Sequence, residues 1–272
     1  MSFICFNGKL VSAATPVINS DNRSFKFGDG VFETMKMIRG QTILKAYHFE
    51  RLFAGLKLLK IDTGSLSIAL LTQKIIELAG ANNLENSVRI RLSLYRNSEN
   101  HAEYIIETSS LGNDVNEWNE KGWTIDIYTD ARKNCDAFSN IKSANHLTYV
   151  MADIYRREKG LDEAVVLNEK NNICDGSRSN LFLILGNEIY TPPLEQGCID
   201  GVVRRYLVEQ LRFSNFIVKE IPLGEEWLAA ADEAFVTNAI IGLRWVKKFR
   251  EKTYNHLVTQ RIYHDFIAPL FN

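Results

Sequence analysis

Apolar positions change their period several times along this chain, and the changes mark its elements. "SFICFNGKLV" and "VFETMKMIRGQTIL" are strand-like, the latter turning at Arg39-Gly40. In "AYHFERLFAGLKLLKI", Phe49, Leu52, Phe53, Leu56 and Leu59 recur at helical spacing. "SLSIALLTQKIIELAG" repeats that behaviour and predicts a helix stopping at Gly80. "SVRIRLSLYR" then alternates, with Val88, Ile90, Leu92 and Leu94 on one face and Arg89 and Arg91 on the other. The polar stretch "SSLGNDVNEWNEKG" reads as an interdomain linker. Beyond it come strand-like pieces, "WTIDIYT", "EAVVLN", "NLFLIL", "EIYT", "FIVKEI" and "EAFVTN", interrupted by helical runs near 145–160, 201–213 and 252–268. The pattern predicts an α+β protein with a small domain over residues 1–113 and a larger one over 120–272.

Composition narrows the function classes. A chain of 272 residues with 46% hydrophobic and 24% charged positions has enough core for one large domain or two ordinary ones. The 32 basic and 33 acidic residues nearly cancel, so there is no basic field for nucleic acid or an anionic membrane. No apolar run approaches the roughly 20 residues of a membrane span. The N-terminus lacks a basic start followed by an apolar segment, so no signal peptide is expected. Cys5, Cys135, Cys174 and Cys198 form no CxxC pair, which points to a reduced, cytoplasmic setting. The five histidines show no HxxxH or HExxH spacing, and no metal site is expected.

Candidate chemistry begins with Lys142, in "SNIKSANHLTYVMA", a lone amine among small and polar residues just before a helical run. Several other stretches carry comparable signals. "FGDGVFET" places two glycines around an acid ahead of a strand, and "YHFERL" puts Arg51 on the first turns of an amphipathic helix. "NNICDGSRSNLF" carries Asp175 in a turn-rich segment entering a strand. "YTPPLEQGCIDGVVRR" holds Gly201 at a helix start whose free N–H groups suit a phosphate. "ADEAFVTNAIIG" ends a strand in small and polar residues.

In this order, from about Phe6 to Val246, the motifs resemble the class IV aminotransferases, the fold-type IV pyridoxal-phosphate enzymes. The resemblance implies a two-domain α+β fold with the cofactor in the interdomain cleft, working on a small amino substrate as a homodimer. It makes Lys142 the residue that forms a Schiff base with pyridoxal 5'-phosphate and then moves a proton. Arg51 matches the arginine that pairs with the cofactor phosphate. Val202 and Val203 match the phosphate-binding helix start, which works through backbone N–H groups. Asn238 and Ala239 stand at the second phosphate contact, where the family often has threonine; main-chain amides or Thr237 would serve instead. Asp175 takes the place of the glutamate that keeps a proton on the pyridine nitrogen, but is one methylene shorter.

Within the family, Thr34, Leu147 and "NAIIG" resemble 4-amino-4-deoxychorismate lyase, which forms 4-aminobenzoate and pyruvate in folate biosynthesis. Thr34 would place a hydroxyl near the imine for proton transfer. The loop "YRNSENHAEYIIE" lacks the Gly-Arg-Gly-Tyr of some lyases, and Arg89, Arg91 and Arg96 stand as candidates for substrate carboxylates. An amino acid transaminase of branched-chain or D-amino acid type is the alternative.

Overall fold

The computed structural model describes residues Ser2–Phe271, apart from the side chains at positions 113 and 114. The chain forms two compact units. The first runs to Val115 and takes in Ile141–His146; the second comprises Asn116–Asn140 and the chain from Leu147 onward. A division at the linker alone would leave Ile141–His146 with the second unit. Its backbone decides otherwise: Phe32 N–H donates to the Lys142 carbonyl at 2.9 Å, and Ala144 N–H to the Gly30 carbonyl at 2.8 Å. An isolated Val31–Ser143 bridge continues the pairing.

In the first unit, β1 (Phe3–Phe6), β2 (Lys9–Ser12), α1 (Arg23–Phe27), β3 (Gly30–Ile38) and β4 (Gln41–Thr42) precede α2 (Lys45–Leu58) and α3 (Ile68–Ala81). Strands β5 (Ser87–Arg96) and β6 (Ala102–Ser110) complete an antiparallel six-stranded sheet ordered β2-β1-β6-β5-β3-β4. Period-2 alternation puts Val31, Met35, Val88, Ile90, Leu92 and Leu94 into one core with Phe49, Leu52 and Leu56 of α2 and Leu71, Ile75 and Leu78 of α3. Helix α3 passes the expected stop at Gly80 and is capped by Asn82. The short α1 escapes a periodicity search because five residues span little more than one turn. It is set by its caps: the Asn22 side chain accepts from Phe25 N–H at 2.9 Å, and Gly28 closes the helix at φ 65°. A Cβ on Gly28 would lie 3.1 Å from the Asn145 backbone, so this glycine also admits the Lys142 segment.

The second unit holds β7 (Trp123–Lys133), α4 (Leu147–Glu158), β8 (Glu163–Asn168), β9 (Ile173–Gly176), β10 (Asn180–Leu185), β11 (Glu188–Thr191), α5 (Val202–Phe213), β12 (Ile217–Glu220), α6 (Glu225–Ala230), β13 (Glu233–Asn238), β14 (Gly242–Phe249), β15 (Lys252–Thr253) and α7 (Leu257–Ile262). They build a mixed nine-stranded sheet ordered β12-β11-β10-β13-β14-β7-β8-β9, with β15 beside β14. The helical run expected over 252–268 opens with β15 instead, because Lys252 and Thr253 pair with Phe249 and Lys248. One sheet face buries Leu181, Leu183, Ala234 and Val236. On the other, the cross-strand partners Phe182 and Phe235 stack at 4.8 Å between centroids. Trp118 packs against Trp245, His256 and Tyr263 inside this unit. No helix among the described residues is long and apolar enough to cross a membrane.

Candidate active site

Strand β3 presents two chemically different faces. Glu33 lies between Val31 and Met35 on the apolar face, where an isolated carboxylate would be prohibitively expensive. Its partners come from α2, where His48 and Arg51 are three residues apart and so share a helix face. Arg51 grips Glu33 with two parallel bonds, Nε to Oε1 at 2.8 Å and Nη2 to Oε2 at 2.6 Å. His48 Nδ1 lies 2.7 Å from Oε2. Burial pushes the Glu33 carboxyl upward, yet Arg51 and His48 outweigh it and hold it at about 2. Burial also lowers the His48 pKa, against the opposing pull of Glu33.

The opposite face of β3 carries Phe32 and Thr34. The Lys142 ammonium sits over the Phe32 ring at 4.6 Å from its centroid, and the Arg91 guanidinium over the same ring at 4.2 Å. His146 packs against that ring at 5.1 Å. Burial lowers its pKa, with Lys142 and Arg91 adding to the effect. Among the described residues Arg91 makes no hydrogen bond or close ion pair, so the nearest partner of this half-buried cation is an aromatic face. Thr34 is the register partner of Arg91, and its hydroxyl makes no hydrogen bond among the described residues. This face gathers an amine, a guanidinium and a hydroxyl around one ring.

In the second unit Asp175, on β9, is buried and ionisable. The turn after it is fixed by Glu163. That carboxylate accepts from Ser177 N–H at 2.9 Å, Ser177 Oγ at 2.5 Å and Ser179 Oγ at 2.6 Å. The turn brings Asn180 back to donate to Asp175 Oδ1 at 2.8 Å and to the Ile199 carbonyl at 2.9 Å. Asp175 Oδ2 accepts from Ile199 N–H at 3.0 Å and from the Tyr149 hydroxyl, and Lys133 Nζ lies 3.6 Å away. Burial raises the Asp175 pKa; Lys133 and the hydrogen bonds oppose that rise.

Asn180 also ties Asp175 to the start of α5. Gly201 caps this helix with no side-chain bond, and the first intrahelical bond runs from Arg205 N–H to the Gly201 carbonyl at 2.8 Å. The N–H groups of Val202 and Val203 therefore point out of the helix start without an intrahelical acceptor. A Cβ on Gly201 would meet Asn180 Oδ1 at 1.8 Å, so only glycine fits. Thr237, the register partner of Asn180, is fully buried, and its Oγ1 has no hydrogen-bond partner among the described residues. The Asn238 side chain shapes the following turn. Its Oδ1 accepts from Ile240 and Ile241 N–H, both at 2.9 Å, and its Nδ2 donates to the Arg178 carbonyl at 3.1 Å. Ala239 offers only its main chain to a ligand, while the Asn238 side chain is engaged in shaping the turn.

These donors suit pyridoxal phosphate. An uncapped helix start and an orphaned buried hydroxyl answer an anion, and a buried carboxylate answers a protonated ring nitrogen. In the first unit the Lys142 amine lies over the Phe32 ring, and the Arg51 guanidinium is held in one orientation by Glu33. Thr34, Arg51 and Lys142 lie in the first unit; Asp175, Val202, Val203, Asn238 and Ala239 lie in the second. Sequence reading passes over Glu33, His48, Tyr149, Lys133 and Asn180. Only Glu33 carries a visible signal, as an acid at an apolar-face position of an alternating strand.

Residues 30–249 match the family described as amino-transferase class IV. Aminodeoxychorismate lyase of Bacillus subtilis is 27% identical over 260 residues, covering 92% of this chain and 88% of its own. D-alanine aminotransferase of Staphylococcus haemolyticus is 24% identical over 247 residues, covering 88% and 86%. Among solved structures, the branched-chain aminotransferase of Thermoproteus uzoniensis with norvaline superposes with a TM-score of 0.89. It is 22% identical over 99% of this chain and 95% of its own, which establishes the shared fold. The chain belongs to the class IV aminotransferases, a family of pyridoxal-phosphate enzymes with the fold-type IV architecture.

Proposed function

We propose that this enzyme is a 4-amino-4-deoxychorismate lyase, releasing pyruvate and leaving 4-aminobenzoate. The observation that carries the reading is the unpartnered Thr34 hydroxyl on the β3 face where Lys142 and Arg91 share the Phe32 ring. The relative named as aminodeoxychorismate lyase supports it. Pyridoxal phosphate, when bound, supplies an electron sink for the carbon beside the amine. The residues of this chain would do the rest. Lys142 Nζ would hold the cofactor's aldehyde carbon and, when free, would move a proton. Thr34 Oγ1 orients that transfer. Arg91 receives a carboxylate, of which aminodeoxychorismate has two.

In the second unit the phosphate would be held by Val202 and Val203 N–H, Thr237 Oγ1 and the Asn238-Ala239 main chain; Arg51, the phosphate-pairing arginine that the resemblance implies, belongs to the first unit. Asp175 would hold the proton on the ring nitrogen. Four free cysteines support a cytoplasmic setting. Exposed Leu147, Val150 and Met151, one face of α4, support a homodimer. Transamination is the second reading, supported by the D-alanine aminotransferase relative.

Pyruvate release from aminodeoxychorismate, with pyridoxal phosphate and no amino acceptor, tests the first reading. Equimolar pyruvate and 4-aminobenzoate are expected. No pyruvate from protein that carries the cofactor's visible band, with turnover appearing only when a 2-oxo acid is added, would overturn it in favour of transamination.

A further inference from the structure

Asp175 has four partners, unevenly distributed. Oδ2 meets Ile199 N–H at 3.0 Å, the Tyr149 hydroxyl and the Lys133 ammonium at 3.6 Å. Oδ1 meets only Asn180 Nδ2, at 2.8 Å, among the described residues. A carboxylate oxygen has two lone pairs, so Oδ2 is saturated while Oδ1 keeps room for one more donor. We propose that Tyr149 and Lys133 are positioning residues that pin Oδ2 of the shortened acid and keep it ionised, so that Oδ1 is the oxygen offered to a protonated ring nitrogen. This deepens the pyridoxal-phosphate reading above and rests on it.

The two partners act differently. Tyr149 fixes direction: its phenol, raised well above the ordinary value by burial and by Asp175, remains a hydrogen-bond donor. Lys133 fixes charge. It reaches Asp175 from the end of β7, donates to the Ser139 carbonyl at 2.8 Å, and lies over the Tyr149 ring at 4.8 Å. The other groups facing Asp175 are the neutral thiols of Cys174 and Cys198, pushed up by burial, and the more remote Arg204. Lys133 is therefore the close counter-charge that lets a buried aspartate stay ionised. A glutamate would extend one methylene beyond its backbone anchor; here a tyrosine and a lysine from two other elements stiffen the shorter side chain instead.

The test is the dissociation constant of pyridoxal phosphate, read from its protein-bound visible absorbance across pH 5–9, in wild type, Tyr149→Phe, Lys133→Met, Lys133→Arg, Asp175→Asn and the Lys133→Met/Asp175→Asn pair. Circular dichroism establishes that each variant is folded. Lys133→Met should move the acid limb of binding upward by roughly one pH unit, because an opposite charge this close shifts a carboxylate by about one unit or more. Lys133→Arg should restore the limb. Tyr149→Phe should weaken binding about tenfold at every pH, the loss of one hydrogen bond to a charged group. In the Asp175→Asn background Lys133→Met should have no further effect. An unchanged acid limb in Lys133→Met, or a shift of equal size in the Asp175→Asn background, overturns the proposal. A wild-type protein with no visible band overturns the cofactor reading beneath it, a separate result.

Discussion

Glu33→Gln puts the buried triad of the first unit to a quantitative test. The substitution keeps the volume and removes the charge, leaving the Arg51 guanidinium buried opposite a neutral amide. A fall of the carboxyl from its ordinary 4.5 to about 2, at 1.36 kcal/mol for each tenfold change in proton affinity, makes the ionised form worth about 3 kcal/mol near neutral pH. That agrees with the roughly 3–5 kcal/mol cost of stripping one partner from a buried ion pair. For a unit of this size the loss should appear as a fall of about 12 °C in melting temperature. Urea unfolding followed by near-ultraviolet dichroism is the assay. Arg51→Met added to Glu33→Gln should recover most of the loss, because the penalty resides in the orphaned cation. A single variant as stable as wild type, or a double variant no better than the single one, would refute the reasoning.

Acid should weaken the same unit in two stages. Glu33, depressed in the folded state, contributes its stability above the unfolded value near 4.5 and loses it as pH falls toward 2. His48, also depressed, is charged by acid in the unfolded chain first, so stability begins to fall below the ordinary 6.5. A flat urea midpoint between pH 7 and 5 would contradict the His48 part. Asp175→Asn has the opposite sign. Its pKa is raised by burial, so the ionised form costs stability at neutral pH. The variant should melt no lower than wild type while losing turnover; a large drop in melting temperature would contradict this. Arg91→Leu should raise KM at least tenfold with a smaller change in kcat; an unchanged KM in steady-state kinetics excludes Arg91 as a carboxylate contact. Gly201→Ala must displace Asn180 Oδ1 and should cost about 1–3 kcal/mol and weaken cofactor binding. Asn180→Ala in the same chain should relieve part of the stability loss, and calorimetry distinguishes the two outcomes.

The sequence by itself determines the α+β class and the family. The strands and helices of both cores are legible because their periods, 2 and 3.6, are imposed by burying one face. The short caps-driven α1 and the β15 pairing are not legible, since neither has room for a period. Lys142, Arg51, Asp175 and the Gly201 helix start stand out through residue type and order along the chain. Tertiary structure alone decides what surrounds them. Glu33 reads as an oddity on an apolar strand face until α2 brings His48 and Arg51 against it. Asp175 reads as a turn acid until Asn180, Tyr149 and Lys133, from three other elements, converge on its two oxygens. Arg91 looks like one of three interchangeable arginines until the fold sets it over the Phe32 ring that Lys142 also meets, while Arg96 ion-pairs with Asp29 at 2.9 Å. Periodicity reports which way a side chain points relative to its own element. Charge pairing depends on which elements meet, and that is set by packing between residues tens of positions apart.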